Sequence, residues 1–371
     1  MIRLLDINFY ANTEYGNTTD LVAAQFSSLN YMDHTGKELE VEVVKHIDNP
    51  DTIIQQHRQI LFFNGRNGFF YLPLRTLRYV KQQSPDLVMI QGLAFPFQAI
   101  VLRWLLGRKV KLLAKDQADH PPSHWVKKRM QRIADSYIDQ YLFTSRGNAR
   151  EWIEKGMIQD PQKISEIPVT YTGFSRQDKM KCRTALGMDE GLQYLWVGRM
   201  NANKDPLTVL YAFEKYLLVQ PGAKLHLVYQ TNDLLNEVER KINNSALLKQ
   251  SVYLHGKKPY TELPQWYSAA DFYLSGSHSE GGSGALLEAM ACGCIPIVTD
   301  IPPAVKVSDN GRYAFHFKAG DAAQLLEVLS RSAQVDRNAL SEKIMAHFQK
   351  NYSLDAVGDR LYRICLALLA K

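Results

Sequence analysis

The sequence predicts an α/β protein of two Rossmann-like doubly wound domains facing a central cleft, and three observations predict it. The chain has 371 residues, 46% hydrophobic and 22% charged, enough for two domains of about 100 to 200 residues, each with its own core. Short apolar runs alternate with stretches of helical periodicity, the pattern of parallel strands joined by right-handed crossovers. That alternation restarts once, after a turn-rich connector at 167–173. Runs at 3–9, 40–44, 87–91, 110–114, 140–143 and 163–167 read as strands of a first domain, 1–172. Runs at 193–197, 224–229, 251–254, 271–274 and 295–299 read as strands of a second, 173–353. From 321 onward the pattern is helical and closes on an amphipathic stretch at 354–369, a C-terminal helix (354–371) expected to pack back on the first domain. Ligands of such folds bind beyond the carboxyl ends of the strands.

Fifteen Pro and 22 Gly are too few for a disordered or collagen-like chain. Cys182, Cys292, Cys294 and Cys365 show no C-x-x-C pair, and the opening MIRLLDINFY is strand-like without a charged leader region, so a reducing, cytoplasmic location is expected. No segment reaches 18 uninterrupted apolar residues; the longest candidate, 93–106, is broken by Gln98 and Arg103, which argues against a membrane span. The net charge of +6 is unevenly spread: 58–132 holds fourteen Lys or Arg against Asp86, Asp116 and Asp119, which leaves the remainder at −5. Such a stretch either attracts an anionic membrane surface or acceptor, or decorates solvated helix faces. One segment of it, 69–81, mixes aromatics with basic residues and reads as a membrane-surface helix or as an ordinary amphipathic core helix. No nucleic-acid recognition motif accompanies the charge, so no nucleic-acid partner is expected.

Two constellations in the second half carry chemistry. The first is a strand ending in Val197-Gly198-Arg199, a polar loop, and Lys204-Asp205-Pro206 at a helix start. Arg199 offers a planar fork of donors and Lys204 a mobile point charge beside a helix N-terminus, which together suit a diphosphate. In the second, a strand ends at Ser275-Gly276, a turn carries Glu280-Gly281-Gly282-Ser283-Gly284, and a helix carries Glu288. The glycines let the backbone approach a ligand and the free N–H groups favour phosphate or sugar oxygens. Glu288, flanked by Leu287 and Ala289, is costly to bury unpaired; a ribose diol would satisfy it, and so would water or a nearby Lys.

The E-x7-E spacing of Glu280 and Glu288, followed by A-M-A-C-G-x-x-P and preceded by V-G-R-M-N-x-x-K-D-P, resembles the retaining nucleotide-sugar glycosyltransferases of the two-domain GT-B architecture, the group 1 or family 4 enzymes. The likeness runs from about 192 to 329 and is weak before 130. It implies transfer of a sugar from a nucleoside diphosphate to an acceptor hydroxyl with retention, in glycan, polysaccharide or glycolipid synthesis, without a metal cofactor. No D-x-D triplet occurs in the chain. By the same likeness Arg199 and Lys204 meet the diphosphate, Glu288 the ribose and Glu280 the donor sugar. Gly281, Gly282, Ser283 and Gly284 line the sugar and phosphate, and His255, Gly256 and Lys257 lie near the base. Two departures stand out: Gly-Gly-Ser-Gly after Glu280, where an aromatic and one Gly are commoner, and Val169-Thr170 after Pro168 in place of Asn-Gly.

In the first half, Asp116 or His120, after the strand at 110–114, is the candidate to face the donor sugar, the alternative being loop residues that cap the next helix. Tyr15, Gly16 and Asn17, after the first strand, are candidates for the wall that holds a glycan or lipid-linked acceptor. The rival readings are a degenerate nucleotide-sugar-binding protein and a nucleotide-sugar epimerase.

Overall fold

A computed structural model describes residues 1–12, 34, 38–47, 52–55, 58–117, 119–168 and 172–370. Tyr15, Gly16, Asn17, Val169 and Thr170 lie outside these. The chain forms two units, Met1–Val169 with Leu354–Lys371, and Thr170–Ser353.

Near-continuous apolar runs such as Leu87–Gln91, buried on both faces, demand a sheet covered on both sides. The first unit supplies one with β1 (Ile2–Asn12), β2 (Leu39–Ile47), β3 (Thr52–Gln55), β4 (Arg58–Phe63), β5 (Leu87–Gln91), β6 (Lys111–Lys115), β7 (Gln140–Phe143) and β8 (Ile164–Glu166), ordered β3-β4-β2-β1-β5-β6-β7-β8. Every pair is parallel except β3 with β4. Alternate side chains face opposite ways. Ile7, Val88, Ile90 and Leu112 meet helices Leu74–Gln83, Pro96–Leu106 and Arg146–Glu154 through Leu77, Val80, Ala99, Leu102 and Trp152. On the other face Leu4, Met89 and Leu113 meet Val357, Leu361, Cys365 and Leu368 of helix Leu354–Leu369. The antiparallel β3–β4 pair was not foreseen, because polar residues interrupt both runs. Nor does helix reach back to residue 69: it starts at Leu74, after Pro73, and buries Thr76, Leu77 and Val80. One side of this helix thus packs on the core, and Leu74, Arg75, Arg78 and Lys81 stay exposed on the other.

The second unit orders β9 (Gln193–Gly198), β10 (Lys224–Tyr229), β11 (Val252–Gly256), β12 (Phe272–Ser275), β13 (Ile295–Thr299) and β14 (Phe315–Phe317) as β11-β10-β9-β12-β13-β14. All of its pairs are parallel. The short β14 escapes sequence periodicity. Tyr194, Trp196, Phe213, Tyr216 and Phe272 fill the core, with Tyr194 stacked on Phe272 and its hydroxyl 2.8 Å from that of Tyr216. Strand order runs outward from β9 in one direction and from β12 in the other. The β9–β12 pair, with Phe272 opposite Tyr194, is therefore the point where the topology reverses, the place where open α/β sheets bind ligands.

Candidate active site

The loops after β9 and β12 stand side by side at that reversal and are bonded to each other. Asn203 Nδ2 donates to Ser279 O at 3.0 Å, and His278 N donates to Asn203 O at 2.8 Å. Asp205, at φ +42, caps helix Pro206–Tyr216 by accepting from Thr208 N, and its other carboxylate oxygen lies 3.1 Å from His278 Nε2. Gly276 makes the approach sterically feasible: a Cβ there would stand 2.8 Å from Asp205 O and 3.3 Å from Lys204 O. Gly276→Ala is therefore expected to push the loops apart, at a cost of about 1–3 kcal/mol for overpacking; thermal denaturation measures it, and an unchanged melting temperature would refute the tight contact.

Lys204 Nζ is ion-paired with Glu280 Oε1, both about one-fifth exposed. Arg199, five residues earlier on the same loop, projects into solvent and has no ion pair among the described residues. Helix Gly284–Ala291 begins beside them at Ser283, which adopts the left-handed conformation (φ +51) and gives the helix no side-chain cap. Its hydroxyl is buried without a hydrogen-bond partner, and Glu280, Ser275, Ser277 and Thr299 line the same small pocket. An uncapped helix start next to Lys204 suits an anion.

One turn further on, Glu288 is 7% exposed. Two tyrosines hold it: the Tyr267 hydroxyl donates to Oε2 at 3.0 Å, and Tyr260 adds a second hydroxyl. Burial still dominates and pushes the carboxyl up to about 7, the two tyrosines pulling the other way. Tyr260 and Tyr267 were missed as site residues because neither has chemistry of its own; the acid on an apolar helix was the visible half of the arrangement.

At the end of β11, His255 Nε2 lies 2.9 Å from His226 Nδ1, and His226 Nε2 lies 2.8 Å from Gln193 Oε1. Gln193 Nε2 donates to Asp189 Oδ1, so its oxygen faces the imidazole and the chain of donors is set: His226 Nε2–H donates to Gln193, and His255 Nε2–H to His226. Burial, reinforced by the His255 ring, pushes His226 down to about 3, and burial with Lys258 pushes His255 down to about 4, so both are neutral at physiological pH. Trp266 packs on His255 at 4.4 Å, which makes this edge a rigid aromatic platform; Gly256 turns at φ +63 and Lys257 is exposed.

The other candidates lie in the first unit. Asp116 is buried and accepts from Asp119 N at 3.0 Å, an arrangement that shapes its own loop. The His120 side chain is 90% exposed, 3.9 Å from Glu151, and the residue that caps helix Trp125–Asp135 is His124.

Two Rossmann-like α/β units of this kind make the GT-B architecture of glycosyltransferases. Over 99% of this chain and 98% of the other, the fold superposes on a glycosyltransferase from Rickettsia africae with a TM-score of 0.75 at 16% identity. Anabaena HepE in complex with UDP gives 0.70 at 15% identity over 99% and 100%. Residues 183–343 match the family of glycosyl transferases group 1. In sequence the chain is similar to the alpha-monoglucosyldiacylglycerol synthase of Streptococcus pneumoniae, 29% identical over 58% of this chain and 47% of the relative. It is also similar to the GDP-mannose:cellobiosyl-diphosphopolyprenol alpha-mannosyltransferase of Xanthomonas campestris, 29% identical over 42% of each. The matched part spans less than half the length of these curated relatives.

Proposed function

We propose that the protein is a retaining glycosyltransferase that moves a sugar from a nucleoside diphosphate to an acceptor hydroxyl, using side chains and a helix start rather than a metal ion to hold the diphosphate. The observation that carries this reading is the convergence of the Lys204–Glu280 pair, the unpartnered Ser283 hydroxyl and the uncapped N-terminus of Gly284–Ala291 at the topological reversal of one sheet, with Arg199 exposed on the loop that leads to Lys204. A diphosphate seated there draws Lys204 from Glu280 and frees that carboxylate for sugar hydroxyls. Gly281 and Gly282 leave room for the sugar, and Glu288 takes the ribose hydroxyls in place of the tyrosines. The Gly198 end of β9 and the His255-Gly256-Lys257 edge bracket the nucleoside.

In the reaction the bond from the anomeric carbon to the β-phosphate oxygen breaks, the acceptor oxygen bonds to that carbon on the same face, and the acceptor proton passes to the departing phosphate oxygen. Negative charge grows on the leaving group, where preorganised cations and N–H donors act most strongly. The relatives named for diacylglycerol and diphosphopolyprenol substrates support a lipid-linked acceptor, and HepE bound to UDP supports a nucleotide diphosphate.

The test is hydrolysis and transfer with UDP-, GDP- and ADP-sugars in excess EDTA, the anomeric configuration of the product being read by NMR. One donor is expected to be consumed at undiminished rate with its configuration kept. Loss of activity in EDTA restored by Mn²⁺ would overturn the metal-free mechanism, and nucleotide binding without turnover would reduce the protein to a binding module.

A further inference from the structure

Helix Pro96–Leu106 of the first unit buries Pro96, Ala99 and Leu102 and carries a second apolar set on its outer side. Gln98 and Arg103, the two residues that interrupt its apolar sequence, are 2% and 6% exposed, whereas Trp104 is 78% exposed. Phe97, Ile100 and Trp104, spaced as one helical stripe, stand outside the core and retain solvent access. The orientation is locked. Arg103 donates to the carbonyls of Tyr137, Gly107 and Val110 at 2.7–3.0 Å and pairs with Asp139, and Gln98 donates to Tyr71 O at 2.8 Å. Turning the stripe inward would swing the guanidinium out and leave those carbonyls and Asp139 without their donor.

The neighbours of this helix are basic. It packs between Leu74–Gln83 and Trp125–Asp135. Arg75, Arg78 and Lys81 project from the first flank, Lys127, Arg129 and Arg132 from the second, and Arg108 and Lys109 from the turn below. The one acid on these three helices, Asp135, is buried and bonded to Tyr141. Further exposed apolar side chains sit beside the stripe at Phe70, Leu74 and Trp125; Phe70 meets Phe97 edge-on, and Lys127 lies over Phe69. No described helix is long and apolar enough to cross a bilayer.

From this arrangement we infer that the face is a docking surface for an anionic lipid bilayer, with Phe97, Ile100 and Trp104 entering the headgroup region and the flanking cations meeting lipid phosphates. An aromatic and aliphatic ridge bordered by Lys and Arg, with no exposed carboxylate on its three helices, matches the chemistry of that surface. A protein partner would need acids of its own opposite each flank. The proposal stands independently of the donor reading, since it uses no residue of the second unit.

The test takes the full chain with vesicles of pure phosphatidylcholine or with added phosphatidylglycerol. Binding is expected with the anionic vesicles only and weakened in high salt, each cation near the surface contributing about fivefold to partitioning. Emission of the exposed Trp104 and Trp125 should shift to the blue and be quenched by brominated acyl chains, while Trp152, Trp196 and Trp266 are already buried. The double variant Ile100→Ser/Trp104→Ser should lose at least about tenfold in partitioning at unchanged circular dichroism and nucleotide affinity; Lys127→Glu/Arg129→Glu should abolish the preference for anionic lipid. Equal or no binding to the two vesicle types, or emission that does not move, overturns the proposal. So does a dimer in light scattering that Trp104→Ser dissociates without affecting vesicles, which would assign the face to a second copy.

Discussion

Lys204→Ala is expected to lower turnover by about 10²–10³-fold while changing donor affinity much less, the pattern of a group whose charge matters most as the leaving phosphate develops. Arg199→Ala should follow in the same direction. Because Lys204 is paired with Glu280, the two cannot contribute independently. Removing the lysine also leaves a partly buried carboxylate facing the incoming diphosphate, so the Lys204→Ala/Glu280→Ala double variant should be less impaired than the product of the singles. Steady-state kinetics on the four proteins decides it. Parental turnover of Lys204→Ala at saturating donor would remove the residue from the reaction.

Glu288→Gln should have two effects of opposite sign. With the carboxyl raised to about 7 by burial, the folded protein keeps a proton that the unfolded chain releases near the ordinary value of 4.5. The stabilising contribution is thus complete below pH 4.5 and is lost as pH rises to about 7, a loss on the order of 3 kcal/mol. Glutamine cannot ionise, so the variant should gain stability over the parent at pH 8 and show no such gain at pH 5, by denaturant titration at the two pH values. Its affinity for the nucleotide should fall about tenfold or more, since a charge-assisted hydrogen bond to the ribose is worth about 1.5–3 kcal/mol. In the parent, affinity should weaken as pH drops from 8 to 6, because the diol prefers the ionised acid. Full nucleotide affinity in a stabilised Glu288→Gln would show that the tyrosines are its only partners.

Most of both sheets is legible in the sequence because parallel strands covered on two sides must be nearly all apolar, and 87–91 and 295–299 are. What escapes is short or interrupted, such as β14 and the β3–β4 pair. The donor-side residues are legible as types at fixed spacings, but their partners are not. Lys204 and Glu280 are 76 residues apart, and the hydroxyls that hold Glu288 come from a different helical segment. Nor does the 93–106 stretch reveal its orientation: Gln98 and Arg103 read there as breaks in an apolar run, whereas they are its anchors to the core.

The contact of Gly276 with the backbone of Lys204 and Asp205 makes 199–205 and 275–284 a single heritable cassette. A loop transplanted from a relative to alter sugar choice would carry its own spacing at this crossing, and a donor loop moved without its mate would meet a backbone shaped for another. Redesign of the specificity of this fold should exchange the two loops together, with the glycine retained at their junction.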